Sequence, residues 1–277
     1  MIKPMGIATL MNSYRGHYLH GLDYIKPYDF KAIPLDPADT YGDILPEDES
    51  EKASRFSTMI DLLTRYLIFH DDAAFDGAQK SAEKQGQMAF YNRATQYLSE
   101  HRATFLAEKP TRQAYGYGYG LAELENYEKG HRRFANPLAA PSELACQHAQ
   151  ILLQRLNKFF AQHSSPEWLP SVCGFHVHNY DSSVVGEGDY LSDQVLYDMK
   201  TTINNPVEKT QYRGQLMLYY VYGQMNRGKD KTAGYPQFDT TKVLAFLDPR
   251  HNKMYGCLVD HVSEDARWKI EMCTVPR

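Results

Sequence analysis

The alternation of strand-forming and polar residues is clearest between positions 184 and 202. Val184 to Leu191 and Val195 to Thr202 are both rich in strand formers, and a short polar segment separates them. This pattern predicts a β-hairpin whose two-residue turn is Asp193 and Gln194. In such a hairpin the residue numbers of cross-strand partners have a constant sum, so the turn fixes every pairing of the two strands.

The predicted pairing makes Asp189 and Asp198 direct neighbours. Their Cβ atoms would lie roughly 4.5–5.5 Å apart, where like charges repel unless something such as a divalent cation compensates them. Lys200 emerges on the same face as Asp198, about 7 Å along the strand, and could reach a phosphate or water held by that cation. Glu187 faces Lys200 and either binds metal or neutralises the lysine. The ordinary alternative is a solvated strand face with unrelated charges.

A helical pattern follows the hairpin. Val207 to Met225 is predicted to form an amphipathic helix that starts after Pro206, and Gln211, Gln215 and Tyr219 share one stripe of it at four-residue spacing. The last two of these residues make a Q-x-x-x-Y pattern directly downstream of the Asp-x-Lys triplet of the second strand. The order of acid, Asp-x-Lys and Q-x-x-x-Y is much more specific than any one of the three.

These motifs carry a resemblance to a known family. Asp189, then Asp198-Met199-Lys200, then Gln215 to Tyr219 resemble the core of the PD-(D/E)XK nuclease superfamily, and the last motif resembles its RecB-like branch. The motif order is also similar to that of uncharacterised proteins of Gram-positive bacteria. The resemblance implies a restriction-endonuclease-like fold, a central mixed sheet flanked by helices with a helical insertion. It also implies metal-dependent hydrolysis of phosphodiester bonds in nucleic acid, with DNA as the favoured substrate.

The resemblance implies a role for each matched residue. Asp189, Asp198 and the backbone carbonyl of Met199 would bind Mg²⁺ or Mn²⁺, because hard cations prefer oxygen ligands. Lys200 would orient the nucleophile or support the charge that develops on the phosphate. Gln215 would fix the water, the lysine or a nucleotide. Tyr219 is expected to pack and orient its neighbours rather than take part in the chemistry.

The resemblance further implies a metal ligand on a helix upstream of the sheet. Ala53 to Phe69 has apolar residues at helical spacing and is the best candidate for that helix. Asp61 stands where RecB-like enzymes would place the ligand, with Arg65 one turn on. The alternatives are an exposed ion pair of these two residues, worth only about 0.3–0.5 kcal/mol, and Glu51, which is the weaker ligand candidate or a favourable first-turn acid.

The rest of the chain is predicted to complete one mixed α/β domain of residues 1–277. Residues 1–50 should wrap over it with little regular structure, and residues 77–170 should form a mainly helical elaboration. Within the elaboration, Tyr115 to Gly120 alternates tyrosine with glycine, which predicts an extended segment or loop; a platform for base stacking is the functional alternative. The helices that begin at Ala53 and Val207 should flank the central sheet. That sheet is predicted to comprise residues 171–179, 184–191, 195–202, 242–247 and 254–261.

Composition limits the class of protein. The 43% hydrophobic content of 277 residues is enough for a substantial interior. No segment approaches the ~20 apolar residues that cross a bilayer, and the first residues lack the pattern of a signal peptide. We therefore expect a cytoplasmic protein without a membrane partner. The spacing of the cysteines argues against both a zinc ribbon and a disulfide framework. The sequence leaves a homo-oligomer open.

The formal net charge of −4 is only a weak argument against a nucleic-acid partner. Acids that bind metal are counted in that total, and a local basic rim is sufficient for contact with phosphates. Such a rim is expected around Lys200, formed by Arg65, Lys209 and Arg213 and extended by Arg227, Lys229 and Lys231.

Two alternatives belong to other classes. His176 and His178 share a face if their segment is a strand, and with a partner such as Asp181 they could hold zinc, iron or manganese in a different hydrolase. Strand histidines are more often surface or hydrogen-bonded core residues. The second alternative is a non-catalytic nucleic-acid-binding or interaction protein on a nuclease scaffold, because one fold can serve several functions.

Overall fold

The computed structural model describes residues 5–12, 25–45, 53–107, 111–128, 141–226 and 234–272. These residues form a mixed α/β protein with a seven-stranded mixed sheet flanked by helices. The strands are β1 (Met5–Gly6), β2 (Lys31–Pro34), β3 (Val172–His178), β4 (Val184–Leu191), β5 (Val195–Met199), β6 (Val243–Asp248) and β7 (Lys253–Leu258). The helices are α1 (Ile7–Asn12), α2 (Ala53–Leu67), α3 (Asp76–Gln85), α4 (Met88–His101), α5 (Arg112–Glu128), α6 (Glu143–Gln162), α7 (Thr210–Asn226), α8 (Gln237–Thr240) and α9 (Glu264–Glu271).

The chain divides into two compact units. The first comprises Met1–Pro34, His163–Asp248 and Lys253–Arg277, and it holds the whole sheet together with α1, α7, α8 and α9. The second comprises Leu35–Gln162 and Pro249–Asn252 and holds helices α2 to α6. None of the helices in the described ranges is long and apolar enough to cross a membrane.

The predicted hairpin is present and its register is confirmed. β4 and β5 pair in antiparallel fashion, with Tyr190 opposite Tyr197 and Leu191 opposite Leu196. The amide of Ser192 donates to the carbonyl of Val195 over 3.0 Å and closes the two-residue turn. Turn length therefore determined the pairing, as the constant-sum argument predicts.

β5 is shorter than the predicted strand, which was expected to reach Thr202. Its parallel ladder with β6 ends where Met199 lies opposite Leu247. The amide of Lys200 still donates to the Leu247 carbonyl over 2.8 Å, but the chain then enters the turn before Pro206. The Asn-Asn-Pro sequence favours that turn, because proline restricts the residue before it and lacks an amide donor. Lys200 consequently lies just beyond the strand rather than within it.

One edge of β4 is shared by two strands. β1 pairs with its first two residues, Val184 and Val185, while β5 pairs with its last two, Tyr190 and Leu191. Residues 186–189 lie between these two ladders and belong to neither. Followed back from the turn, β4 therefore separates from β5 at Asp189. β3 covers the other edge of β4 from Val185 to Leu191. The sheet is therefore open on one side of Asp189.

The core of the first unit lies between the sheet and α7. Strand residues such as Phe175, Leu196 and Phe246 form one buried cluster with α7 residues such as Leu216 and Tyr219. Helices α1 and α9 also pack on α7. Because α7 joins β5 to its parallel neighbour β6, its burial also fixes the segment that follows Lys200.

The N-terminal fifty residues contain more regular structure than predicted. β1 pairs in parallel with β4, α1 follows it directly, and β2 pairs in antiparallel fashion with β7 at the other end of the sheet. These strands are only two and four residues long. Such short strands are stabilised by pairing with strands that are distant in sequence. The residue pattern of the segment itself therefore cannot identify them.

The second unit is helical, as predicted for residues 77–170, but the expectation for Tyr115 to Gly120 is wrong. This segment lies inside α5 and is neither extended nor a loop. A Cβ atom at Gly118 would lie 3.2 Å from Leu63 and 3.3 Å from Met59 of α2, so the missing side chain permits close helix packing. Tyr115 and Tyr119 are buried and do not offer a stacking platform. Tertiary packing overrides the weak helix propensity of glycine here.

Candidate active site

The predicted acids and lysine lie where β4 and β5 diverge. Asp189 is near the end of β4, Asp198 and Met199 end β5, and Lys200 follows. The carboxylate of Asp189 accepts a hydrogen bond from the Met199 amide, with 2.5 Å between the oxygen and the nitrogen. The Asp189 carboxylate thus replaces the main-chain hydrogen bond that would have continued the β4–β5 ladder beyond Tyr190 and Tyr197. Asp189 is half-buried and tied directly to the strand that carries Asp198.

A glycine with a left-handed backbone lies across from Asp189. Gly174 of β3 has a φ of +69° and stands at the register position opposite Asp189. Val184 and Leu191 belong to the same buried cluster, although strict alternation would put them on opposite faces of β4. The alternation is therefore broken between these two residues, in the stretch that contains the pair of Gly174 and Asp189. A left-handed backbone at this position favours glycine.

Asp198 is a buried acid. It is 2% exposed, and burial raises the pKa of its carboxyl group while the neighbouring Lys200 works against that rise. The distance between its Oδ2 and Lys200 Nζ is 2.6 Å. At this distance the contact is a charge-assisted one between carboxylate and ammonium.

Lys200 is enclosed by groups from two elements. Its ammonium lies 2.6 Å from Asp198 Oδ2, donates to Gln215 Oε1 over 3.4 Å, and lies 4.9 Å from the centre of the Tyr212 ring. Burial alone would lower the pKa of Lys200, but the carboxylates of Asp198 and Asp189 outweigh it, and the pKa is raised. Lys200 is therefore a cation at neutral pH.

Gln215 and Tyr219 connect the lysine to β4. The amide nitrogen of Gln215 donates to the Tyr219 hydroxyl over 2.6 Å, and this hydroxyl donates to the backbone carbonyl of Glu187 over 2.8 Å. Burial and the charges of the two aspartates raise the pKa of Tyr219 well above its usual value, so its hydroxyl remains a neutral donor. The chain of contacts thus runs from a carbonyl on the open edge of β4 to Gln215, Lys200 and Asp198.

The predicted upstream ligand lies in the other unit. Asp61 is on α2, so its part in a metal site remains a prediction from the resemblance. Arg65 forms an ion pair with Asp71 within the second unit, with 2.8 Å between nitrogen and oxygen. Glu51 lies outside the described residues.

The predicted basic rim is only partly defined. Arg213 is buried: it donates to the carbonyls of Ile25 and Val207 and to the Thr210 hydroxyl, so it holds the start of α7 and is not a rim residue. Lys209 is half-buried just before that helix. The residues Arg227, Lys229 and Lys231 lie outside the described part of the chain.

The alternative histidine site is not assembled. His178 is a hydrogen-bonded strand residue whose Nδ1 lies 2.8 Å from the Asn179 carbonyl and 3.3 Å from the Ser182 hydroxyl. His176 is exposed, and Asp181 accepts a hydrogen bond from the Ser183 amide in the following turn. Within the described ranges, no three or more histidine, cysteine, aspartate or glutamate side chains are grouped so that they could hold a metal ion. The pair of Asp189 and Asp198 falls below that number.

Sequence reasoning missed two residues that shape this site. Tyr212, three positions before Gln215, shares its helix face, and that spacing was the available signal. Gly174 gave a weaker signal, an isolated glycine within a strand.

A scan against protein-family models finds no match to this chain, and searches of the curated proteins and of the solved structures find none either. The fold and the site therefore define the protein only as a mixed α/β protein with a buried network of acid, lysine, glutamine and tyrosine.

Proposed function

We propose that this protein is a nuclease of the PD-(D/E)XK type that uses Mg²⁺ or Mn²⁺ to hydrolyse phosphodiester bonds of nucleic acid, with DNA as the favoured substrate. One observation carries the proposal. The three matched motifs, which lie on two strands and the following helix, meet in one set of contacts. The Asp189 carboxylate accepts from the Met199 amide, Asp198 pairs with Lys200, and Lys200 donates to Gln215, which in turn donates to Tyr219. A mixed sheet flanked by helices supports the restriction-endonuclease-like fold that the motifs imply.

The donor set fits a hard divalent cation. Asp198 presents a buried carboxylate at the end of β5, and a second carboxylate, Asp189, lies beside the same strand end. Both are oxygen ligands of the kind that Mg²⁺ and Mn²⁺ prefer. Asp189, Asp198 and the Met199 carbonyl would hold the ion. The ion would supply a lowered pKa for a water molecule and positive charge beside the phosphate.

The raised pKa of Lys200 restricts the role of this side chain. A lysine that remains protonated at neutral pH cannot act as a general base, but it can donate hydrogen bonds to a phosphate oxygen and stabilise negative charge there. Gln215 holds the ammonium through its carbonyl oxygen, and Tyr219 fixes the orientation of that amide. We therefore assign Lys200 an electrostatic role, and Gln215 and Tyr219 positioning roles.

The decisive experiment is cleavage of nucleic acid by purified protein. Supercoiled plasmid, linear duplex, single-stranded DNA and RNA are incubated with Mg²⁺ or Mn²⁺ and with EDTA. We expect metal-dependent cleavage and a loss of at least about a hundredfold in rate for two variants: Asp198→Asn, which weakens the metal site, and Lys200→Met, which removes positive charge beside the reacting phosphate. Asp193→Asn is the matched control: Asp193 is an exposed acid in the turn of the same hairpin, and its variant should cleave normally.

The possible outcomes separate the functional classes. Wild-type protein that cleaves no substrate with either metal contradicts the nuclease proposal. If that protein nevertheless binds nucleic acid, the non-catalytic binding protein is the better description. Equal cleavage by wild type and Asp198→Asn would assign the activity to a contaminant.

A further inference from the structure

We infer that Tyr212 is a positioning residue of this site, whose ring holds the Lys200 ammonium against Asp198 and Gln215. The catalytic part of this inference rests on the proposed nuclease function. The contact itself does not, so the two can be tested separately.

The geometry around the ammonium carries the inference. Lys200 Nζ lies 4.9 Å from the centre of the Tyr212 ring, within the ~6 Å at which a cation is attracted to the face of an aromatic ring. The Lys200 side chain is only 14% exposed, so water weakens this attraction less than at an open surface. Asp198 and Gln215 also contact this nitrogen, at 2.6 and 3.4 Å. The ring is therefore one wall of the ammonium site.

Tyr212 is itself held in place. It lies in the first turn of α7, its amide donates to the Lys209 carbonyl over 3.0 Å, and its side chain packs against the buried cluster of the first unit. Residues 212, 215 and 219 follow a spacing of three and four, which places their side chains on one face of the helix. This face presents an aromatic ring and an amide to Lys200 and a hydroxyl to β4.

A lysine at this position needs such a wall. Its four-carbon side chain has many rotamers, and a 3.4 Å bond to Gln215 is too long to select one of them strongly. The other attraction comes from Asp198, a proposed metal ligand whose charge would be shared with the metal. Tyr212 has no part in ligation, so it can hold the ammonium whether or not metal is bound.

A double-mutant cycle tests the contact without reference to activity. Urea unfolding is measured for wild type, Tyr212→Leu, Lys200→Met and the double variant. The cycle cancels the packing that each substitution alone removes. If the ring holds the ammonium, the two changes should be coupled by roughly fivefold or more in the unfolding equilibrium constant. Tyr212→Phe, which keeps the ring, should keep the coupling.

Tyr220→Leu is the matched control in the cycle. Tyr220 lies on the same helix, is buried, and places its ring 5.1 Å from the guanidinium of Arg267, a different cation. Its loss should destabilise the protein, but the effect should be additive with that of Lys200→Met. A cycle in which Tyr212→Leu is also additive overturns the inference.

The catalytic readout is the division of the effect between kcat and KM. We expect Tyr212→Leu to lower kcat about tenfold with little change in KM, because the misplaced charge acts on the transition state. Tyr212→Phe should restore kcat. An unchanged kcat in Tyr212→Leu overturns the positioning role even if the cycle shows coupling. Wild type without any nuclease activity contradicts the proposed function instead, and the cycle then decides whether the ring positions Lys200.

Discussion

At the residue scale, the pair of Asp198 and Lys200 is difficult to explain by stability alone. Its two side chains are 3% and 14% exposed. Removing charges from water costs free energy that a buried ion pair recovers only with good hydrogen bonding. Burial raises the pKa of the Asp198 carboxyl group even though the Lys200 ammonium lies 2.6 Å away. A costly arrangement of this kind is expected where charge has a function.

Replacing only Lys200 should lower the stability of the protein, whereas replacing both members of the pair should leave it nearly unchanged. Lys200→Met leaves a buried carboxylate without its cation and should lower the free energy of unfolding by about 3 kcal/mol at pH 7. The double variant Asp198→Leu with Lys200→Met removes both charges and should be close to wild type. Urea unfolding measures both. A double variant less stable than Lys200→Met alone would contradict this account.

The pH dependence of Lys200→Met follows from the same pair. Burial raises the pKa of Asp198 and Lys200 opposes that rise, so the variant should raise this pKa further. The folded variant then keeps a proton that the unfolded chain releases near pH 4. Fewer protons on the unfolded state mean that stability falls as pH rises. Wild type and variant should therefore both lose stability as the pH rises above about 4, and the variant should continue to lose it beyond the folded-state pKa of Asp198 in wild type; urea midpoints across that range would show the divergence.

At the scale of elements, the twist at Gly174 relates strand geometry to the site. Gly174→Ala forces a side chain into the left-handed region at a φ of +69° and should cost about 1–2 kcal/mol. It should also lower the cleavage rate about tenfold or more, because Asp189 lies opposite and small displacements of reacting groups are costly. Gly86→Ala is the control, since Gly86 has a φ of +67° at the end of α3. The control should lose similar stability and keep its activity; equal activities in the two variants would contradict a link between the twist and the site.

The hairpin was predictable from sequence, but its surroundings were only partly so. A two-residue turn and a period of two determine which residues of β4 and β5 face each other, and both signals are local. The break in alternation along β4 lies across from Gly174 of another strand, and the local pattern of β4 cannot reveal it. The same limit explains Tyr212, whose role depends on where Lys200 leaves the sheet.

The elements that were mispredicted depend on tertiary contacts. The alternating tyrosines and glycines of α5 have poor intrinsic helix propensity, and the helix exists because Gly118 allows close packing on α2. The strands β1 and β2 are too short to show a period and depend on the edges of β4 and β7. In each case the deciding partner is distant in sequence, so local reasoning had no access to it.

At the scale of the whole molecule, the chain forms the second unit from two separate segments. The short segment Pro249–Asn252 belongs to that unit, although it interrupts the sheet strands of the first. Arg155 of α6 joins the two segments. Its guanidinium donates to the carbonyls of Pro249 and Arg250 over 2.7 and 2.9 Å and pairs with Asp39 at 2.6 Å. Both members of this ion pair are almost fully buried.

Arg155→Met should therefore destabilise the second unit strongly. The change leaves Asp39 buried without its cation and removes the donor from two buried carbonyls, a loss of about 3–5 kcal/mol. Lys158→Met is the control on the same helix. Lys158 pairs with Asp36 at 2.7 Å, but the lysine is 53% exposed, so the cost should be about 1 kcal/mol. Urea unfolding gives the two costs, and hydrogen exchange should show the earliest loss of protection in residues 35–45 and 249–252. Equal costs for the two variants would mean that burial of the Arg155 pair does not join the segments.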